Sequence, residues 1–307
     1  MKKIYVVGSL NMDLVVRAPF MPENGMTISG EGFMTNPGGK GANQAAAIGK
    51  LGGDVRMVGC VGEAFGEELK RTLEGYGADV RFVEKLSGIS SGIAVIVVVD
   101  GDNRIILDAG ANGKVSEGLV DRALEGAEEG DFLVCQLEIP QEIVRHALQR
   151  AKEKGMVALL NPAPAAKLLP GILENCDYFM PNQSEAEFYT GIFPKDEESA
   201  KKCAAALAGK GVKNVVITMG AEGSAYVGES GYCRAECRKA AAVDTTAAGD
   251  TYVGGFAVGL SEGMSVQEAM DFASCASAIT VTRRGAQQSI PTRAEVAEKY
   301  GPTGRTK

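Results

Sequence analysis

Histidine is nearly absent from this chain, and its scarcity excludes several kinds of active site. The single histidine, His146, lies on the polar face of a helical pattern at residues 141–154, where the apolar positions form one stripe. Such a position predicts a surface residue. The sequence therefore argues against a Ser-His-Asp triad and against a metal site built from several histidines.

Paired cysteines and long apolar runs are also lacking. The seven cysteines are scattered, and none belongs to a C-x-x-C motif that could supply half of a zinc site. An odd number of cysteines without a framework is typical of a reducing compartment, so we expect a cytoplasmic protein. No apolar run approaches the roughly 20 residues of a membrane span, and residues 1–3 lead into a short strand rather than a signal-peptide core.

Positive charge is not in excess. Lys and Arg number 32 against 39 Asp and Glu, which gives a net charge of -7 and argues against a nucleic-acid partner. With 307 residues, 45% of them apolar, the chain can form one large α/β domain or two smaller ones. A polyanionic ligand would have to be held by local devices such as backbone N–H groups, a few cations or a metal ion.

Short apolar runs alternate with helical patterns along most of the chain. This alternation predicts an α/β fold with a mostly parallel sheet covered on both faces. The predicted strands are residues 4–7, 55–61, 132–136, 157–160, 178–180 and 215–218. The predicted helices are residues 42–51, 67–73, 141–154, 184–189, 197–208 and 253–260.

Two stretches interrupt the alternation. Residues 13–35 lack a helical period and are rich in Gly and Pro. Residues 92–108 predict two strands, 93–99 and 104–107, with Asp100 and Gly101 at the bend of a hairpin. This material could form a separate antiparallel sheet, such as a lid, or extend the edge of the main sheet. Residues 301–307 are predicted to be a mobile tail.

Polar residues recur just beyond the ends of the predicted strands. In an open α/β sheet, the ligand crevice lies outside the carboxyl ends of the strands. Each position alone is better explained as a turn residue or a helix cap, but together they favour a ligand site at one edge. The positions are Asn11, Asp13, Glu138, Asn161, Asn182 and Gly220.

A glycine-rich segment, residues 36–44, begins a helix. It does not fit the phosphate loop G-x-x-x-x-G-K-[ST], because Met34 replaces the first glycine and Gly41 follows Lys40. The G-x-G-x-x-G fingerprint is also missing after the first strand, which argues against a nicotinamide-dependent dehydrogenase. The glycines instead indicate a close backbone approach, with Lys40 and Asn43 as hydrogen-bonding groups.

Residues 243–251 (VDTTAAGDT) are the most informative stretch. Small residues before a helix leave successive N–H groups pointing at one spot, which together with the helix dipole makes an anion hole. Asp250 falls in the first turn of this helix, where an isolated carboxylate could simply complement the helix dipole. A carboxylate beside an anion hole is the arrangement that phosphoryl transfer needs, because it accepts the proton of the attacking hydroxyl.

At these motifs the chain resembles the phosphofructokinase-B-type carbohydrate kinases, the ribokinase family, over about residues 3–295. The matching segments are residues 8–13 (GSLNMD), 38–45 (GGKGANQA), 161–164 (NPAP), 182–185 (NQSE) and 244–250 (DTTAAGD). The form of the second segment and Ala247 in the last are those that ribokinases favour. The resemblance implies a three-layer ribokinase-like fold with a mostly parallel central sheet. It also implies a single kinase domain over residues 1–307, with a small β-sheet lid from about residues 12–37 and 92–109.

The resemblance implies transfer of the ATP γ-phosphoryl group to the 5-hydroxyl of D-ribose, with Asp250 as the general base. The anion hole would come from Ala247, Ala248 and Gly249. The implied sugar-binding residues are Asn11, Met12, Asp13, Gly39, Lys40, Gly41, Ala42, Asn43, Glu138 and Asp250. The implied nucleotide-binding residues are Asn182, Glu185, Thr218, Met219, Gly220, Ala221, Glu222, Gly223, Gly249 and, near the adenine, Ser274.

Two cations and a second subunit are implied as well. Asn182 and Glu185 would organise Mg²⁺ and its waters, and a monovalent cation, usually K⁺, would lie beside the anion hole. The implied K⁺ positions are Asp244, Thr246, Thr280, Arg283, Gly285 and Ser289. A homodimer through the lid is expected. The alternatives are a kinase acting on 2-deoxyribose, a ketohexose or a nucleoside, and a non-catalytic binding or regulatory homologue, against which the intact Asp250 argues.

Overall fold

The computed structural model describes residues 1–301, so all but the first residue of the predicted tail lies outside the described residues. Within this range the larger sheet has nine strands, in the spatial order β13-β12-β11-β10-β9-β8-β1-β4-β5. These strands are β1 (Lys3–Val7), β4 (Asp54–Val61), β5 (Asp79–Lys85), β8 (Phe132–Cys135), β9 (Val157–Leu160), β10 (Tyr178–Phe179), β11 (Asn214–Thr218), β12 (Ser224–Gly228) and β13 (Gly231–Ala235).

The predicted α/β class and mostly parallel sheet are confirmed. The strands from β5 across to β11 pair in parallel, and β12 and β13 add an antiparallel hairpin at one edge. The helices within the described residues are α1 (Lys40–Lys50), α2 (Gly66–Gly75), α3 (Glu117–Leu124), α4 (Gln141–Glu153), α5 (Gln183–Thr190), α6 (Glu197–Ala208), α7 (Ala248–Ser261), α8 (Val266–Thr280) and α9 (Arg293–Tyr300).

Helices cover both faces of the sheet because successive side chains of each strand point to opposite sides. On β1, Val6 belongs to one buried cluster, together with apolar residues of α1, α7 and α8. Its neighbour Val7 belongs to the other, together with residues of α3, α4 and α6. The carboxyl ends of the parallel strands are thereby fixed between two packed layers, at the edge where the ligand crevice is expected.

A separate sheet of four strands, in the order β3-β2-β6-β7, contains both irregular stretches. Its strands are β2 (Asn11–Arg17), β3 (Glu31–Gly38), β6 (Gly92–Val99) and β7 (Asp102–Asp108). The predicted hairpin of β6 and β7 is confirmed, and Asp100 and Gly101 bend the chain with φ of 53° and 84°. Parallel pairing of β2 with β6 joins the two stretches into one sheet, rather than an edge extension of the larger one.

No helix within residues 1–301 is both long enough and apolar enough to cross a lipid bilayer.

Candidate active site

The first helix begins in close contact with the chain that leaves β1. A Cβ atom on Gly41 would lie 2.5 Å from the Ser9 nitrogen, so only glycine permits this approach. Gly39 precedes the helix at φ 88°, a backbone conformation that other residues rarely adopt. Ala42 donates its N–H to the Ser9 carbonyl at 2.8 Å. Gly41 and Ala42 therefore act through packing, and they bring Lys40 and Asn43 to the edge of the sheet.

A group of three acidic side chains, two of them buried, surrounds Lys40. Burial lowers the pKa of Lys40, but the neighbouring carboxylates outweigh this effect and raise it above its usual value. These carboxylates belong to Asp250, Glu138 and Glu185. A charged lysine within this group partly balances the carboxylates and keeps a strong donor at the site.

Glu138 is fixed by two hydrogen bonds. Its Oε2 atom accepts from the Ser9 hydroxyl at 2.6 Å and from the Lys40 backbone N–H at 3.0 Å. It also lines a cavity of about 310 Å³, whose wall includes Asn11, Asn112 and, from the small sheet, Leu107. The cavity therefore lies between the larger sheet and the small one.

Asp13 lies against Gly38, where an added Cβ atom would be 2.5 Å from a carboxylate oxygen. Burial raises the pKa of Asp13 to about 7, and repulsion from Glu138 and Asp250 adds to the effect. The side chain of the neighbouring Met12, which is among the predicted sugar-binding residues, is fully buried in the core. A carboxylate that is costly to ionise without a ligand is suited to accepting hydrogen bonds from the hydroxyl groups of a sugar.

The carboxylate of Asp250 is held by amide side chains on both oxygens. Asn43 donates to Oδ2 at 2.9 Å, and Gln44 donates to Oδ1 at 3.0 Å. Gln44 also donates to Asn161 at 3.1 Å, and its own oxygen accepts from Gln136 at 2.6 Å. A chain of buried amides thus fixes the position of Asp250, which is 7% exposed. Neither Gln44 nor Gln136 is among the residues that the sequence predicts for the site.

Asp250 lies in the first turn of α7, which begins at Ala248 rather than at residue 253. Ala247 precedes the helix in the left-handed conformation at φ 59°, and no side chain caps the first turn. The N–H groups of Gly249 and Asp250 have no acceptor within the helix, as at any helix start. The Ala248 N–H is directed to the Thr245 carbonyl at 3.2 Å. The uncapped turn therefore offers backbone donors beside a buried carboxylate.

A second cavity, of about 790 Å³, opens at this turn. Several residues expected at the nucleotide site line it, namely Asn182, Thr218, Gly220, Ala221, Gly223, Gly249 and Ser274. Met219 is instead buried, and Glu222 pairs with Arg234 at 3.5 Å. Phe193, Cys237 and Lys239 also line the cavity, and no sequence motif marks them.

Asn182 and Glu185 form a reciprocal cap at the start of α5. The Asn182 side chain accepts from the Glu185 N–H at 2.8 Å, and the Glu185 carboxylate accepts from the Asn182 N–H at 2.9 Å. Burial raises the pKa of Glu185, although the bond from Asn182 and the charge of Lys40 oppose the rise. The cap therefore holds the side-chain oxygens of both residues in place. Glu185 lies near Lys40, and Asn182 lines the larger cavity.

Asp244 joins two loops next to the start of α7. Its Oδ1 atom accepts from the Thr246 N–H at 2.9 Å and the Thr246 hydroxyl at 2.6 Å, and its Oδ2 atom accepts from the Gly285 N–H at 2.9 Å. Burial acts to raise the pKa of Asp244, but these bonds outweigh it and lower the pKa. The remaining expected cation positions have engaged side chains: Thr280 donates to Ala276, Arg283 pairs with Glu295 and Ser289 donates to Ala286.

Comparison with known proteins gives a consistent result. The family model of the pfkB family carbohydrate kinases matches residues 1–293. A ribokinase of Haemophilus influenzae is 40% identical over 97% of this chain and 98% of its own length. A deoxyribokinase of Salmonella typhi is 37% identical over 94% of this chain and 95% of its own length.

A solved structure resembles the whole fold. The Arabidopsis thaliana ribokinase complexed with ribose and ATP superposes with a TM-score of 0.89, at 32% identity, over 97% of this chain and 98% of its own. The matches cover nearly the full length of the chain. They agree with the signature motifs and with the two sheets described above. The chain belongs to the pfkB family of carbohydrate kinases.

Proposed function

We propose that this protein is an ATP-dependent ribokinase that phosphorylates D-ribose at the 5-hydroxyl and releases ribose 5-phosphate and ADP. The observation that carries the proposal is the position of Asp250, a buried carboxylate at the uncapped start of α7. It lies between a group of polar side chains suited to a polyol and a cavity large enough for a nucleotide. Relatives named ribokinase along nearly the whole chain support the choice of sugar.

Asp250 acts as the general base. The 5-oxygen of ribose forms a bond to the γ-phosphorus while the bond from that phosphorus to the β–γ bridging oxygen breaks, and ADP leaves. The hydroxyl proton passes to the Asp250 carboxylate. Backbone N–H groups at Gly249 and Asp250 stabilise the charge on the transferred group, aided by the positive end of the helix dipole. Asn43 and Gln44 hold the carboxylate in place during the transfer.

The sugar is recognised by hydrogen bonds to its hydroxyl groups. The residues assigned to it are Asn11, Asp13, Gly39, Lys40, Asn43 and Glu138. Carboxylate and amide oxygens accept bonds from hydroxyls, while amide and ammonium groups donate to them, so the set matches a neutral polyol. We assign the small sheet as a lid over this sugar, because Leu107 of β7 lines the same cavity as Asn11 and Glu138.

The residues of the nucleotide cavity fit Mg²⁺ together with ATP. Within residues 1–301, no three His, Cys, Asp or Glu side chains cluster as metal ligands. Mg²⁺ keeps several waters and binds largely through substrate phosphates. Asn182 and Glu185 would hold those waters, and the ion supplies charge neutralisation on the phosphates when bound. Thr218, Gly220 and Gly223 would line the nucleotide, with Ser274 near the adenine.

We assign a K⁺ site to the two loops that Asp244 joins. The Asp244 carboxylate and the backbone carbonyls of the two loops offer oxygen ligands, which suit a hard monovalent ion. The side chains of Thr246, Thr280 and Ser289 are already engaged, so these residues would contribute mainly backbone carbonyls. When bound, the ion stabilises the loop that leads to Ala247.

A homodimer through the small sheet and a cytoplasmic location complete the proposal. Exposed apolar side chains lie on the edge strands β3 and β7, among them Phe33, Ile105 and Ile106, and such a patch marks an interaction surface. Sedimentation should therefore give twice the 32.0 kDa chain mass, and Ile106→Glu should give the monomer. All seven cysteines are free thiols, in keeping with a reducing compartment.

A panel of pentoses and hexoses, tested with Mg·ATP, checks the substrate directly. We expect D-ribose to give the highest kcat/KM and 2-deoxyribose to be the nearest competitor, because a deoxyribokinase is among the similar proteins. A higher kcat/KM for 2-deoxyribose than for D-ribose would contradict the ribokinase assignment and identify the protein as a deoxyribokinase. Failure of every sugar in the panel, with ADP still bound, would support a non-catalytic homologue and contradict the proposal.

A further inference from the structure

The two sheets are joined by three neighbouring passages of the chain. The first runs from β1 through Leu10 into β2, the second enters β6 at Gly92, and the third is a short 3₁₀ turn, Gly110–Lys114, that follows β7. Asn112 lies in that third passage and is 1% exposed. A buried polar side chain at a junction between two sheets must satisfy its hydrogen bonds there or destabilise the fold.

The Asn112 side chain forms three hydrogen bonds, all to the first passage. Its Oδ1 atom accepts from the Leu10 N–H at 2.9 Å, and its Nδ2 atom donates to the Leu10 carbonyl at 3.1 Å. These two bonds fix which way the Asn112 amide points. The same Nδ2 atom donates to Oδ1 of Asn11 at 2.7 Å, the shortest of the three.

The bond to Asn11 determines how that side chain is presented. Because Asn11 accepts from Asn112 through its oxygen, its own NH₂ group is left to donate elsewhere. Asn11 is among the residues proposed to bind the sugar, and both asparagines line the cavity of about 310 Å³. Without Asn112, the Asn11 amide could rotate about its last bond and present its oxygen in place of its nitrogen.

The second passage is packed tightly against this pair. A Cβ atom on Gly92 would lie 2.1 Å from Oδ1 of Asn11 and 2.1 Å from Nδ2 of Asn112. The start of β6 therefore touches both asparagines, so the pair is in contact with the small sheet as well as with the end of β1. The geometry assigns to Asn112 the role of a positioning residue, which orients Asn11 for ribose and fixes the small sheet at its junction with the larger one.

This inference rests on the proposed function, and a direct binding measurement separates the two. Titration calorimetry would measure ribose and ADP binding by the parent and by Asn112→Ala. Loss of one partner of a buried hydrogen bond costs roughly 5- to 100-fold in an equilibrium, so ribose should bind that much more weakly, with ADP binding unchanged. A parent protein that binds no ribose would contradict the proposed function itself. Equal ribose affinity in the parent and Asn112→Ala would overturn only the role of Asn112.

Asn214, the first residue of β11, provides a matched control away from the junction of the two sheets. It is 6% exposed, and its side chain donates to Asp177 and accepts from Tyr226 and Glu229. Asn214→Ala should lose stability much as Asn112→Ala does, but should keep the parental ribose affinity. An equal loss of ribose binding in both variants would reduce Asn112 to a general stabilising residue.

A double-mutant cycle with Asn11→Ala tests whether Asn112 acts through Asn11. In the Asn11→Ala background, adding Asn112→Ala should change ribose affinity less than about twofold, because the group that it orients is already gone. An undiminished effect would overturn the inference. If Asn112→Ala does not fold, Asn112→Asp replaces it in both experiments, because it can still accept from Leu10 but cannot donate to Asn11.

Discussion

Replacing Asp13 with Asn should stabilise the ligand-free protein while it weakens ribose binding. Burial, together with repulsion from Glu138 and Asp250, raises the pKa of Asp13 from 3.8 to about 7. At 1.36 kcal/mol per pH unit, this rise corresponds to at most roughly 4 kcal/mol of destabilisation when the carboxyl is fully ionised. Asparagine has nearly the same size and carries no charge at any pH.

The sign of the effect follows from where the proton is held more tightly. The folded protein binds the Asp13 proton more strongly than the unfolded chain does, so this group destabilises the fold progressively as the pH rises from about 4 to about 7. The penalty is complete above about pH 8. The stability gained by Asp13→Asn should therefore be about 2.6 kcal/mol larger at pH 8 than at pH 5.

Urea unfolding of both proteins at these two pH values, without ribose, measures the gain. The comparison between pH values is its own control, because any packing change caused by the amide is the same at both. Calorimetry at pH 8 should show that Asp13→Asn binds ribose much more weakly and ADP as the parent does. A gain that is equal at pH 5 and pH 8 would refute the argument that Asp13 ionises at a cost in the folded protein.

Three further predictions concern the base, the cation and the nucleotide. Gln44→Leu removes one donor to Asp250, so kcat should fall roughly 10- to 100-fold with little change in either KM; an unchanged kcat would show that the amide chain is only structural. Titration with KCl, in a buffer whose other cations are Mg²⁺ and a bulky organic amine, should raise turnover in the parent but not in Asp244→Ala. Full activity without K⁺ would refute the cation site. Cys237, the exposed cysteine of the seven, lines the larger cavity, so ADP should slow its alkylation whereas ribose should not; equal rates would contradict nucleotide binding there.

The fold class was predictable because the parallel strands are continuous apolar runs. Strands β1, β8, β9 and β11 are buried on both faces, and each is visible in the sequence as a short apolar segment. The partner of the hairpin was not predictable, because the parallel pairing of β2 with β6 joins segments about 80 residues apart in the chain. Helix α8 was missed although Ser265 and Glu268 form a capping box that the sequence displays.

The candidate site was only partly predictable for a related reason. Motifs carried by contiguous residues, such as those around Lys40 and Asp250, are visible in one sequence. The bonds from Gln44 to Asp250 and from Asn112 to Asn11 join residues separated by 206 and 101 positions. No local spacing encodes such pairs, and they become visible only when the sheet brings distant passages together.

In the proposed reaction, Asp250 takes the proton of the attacking hydroxyl. The most direct measurement is kcat of Asp250→Asn at saturating ribose, Mg·ATP and KCl, with the ADP dissociation constant measured on the same preparation. Loss of a general base costs roughly 10²- to 10⁴-fold, so kcat should fall by that factor while ADP binding stays within about twofold of the parent. A kcat near the parental value, with the nucleotide still bound, would contradict the claim.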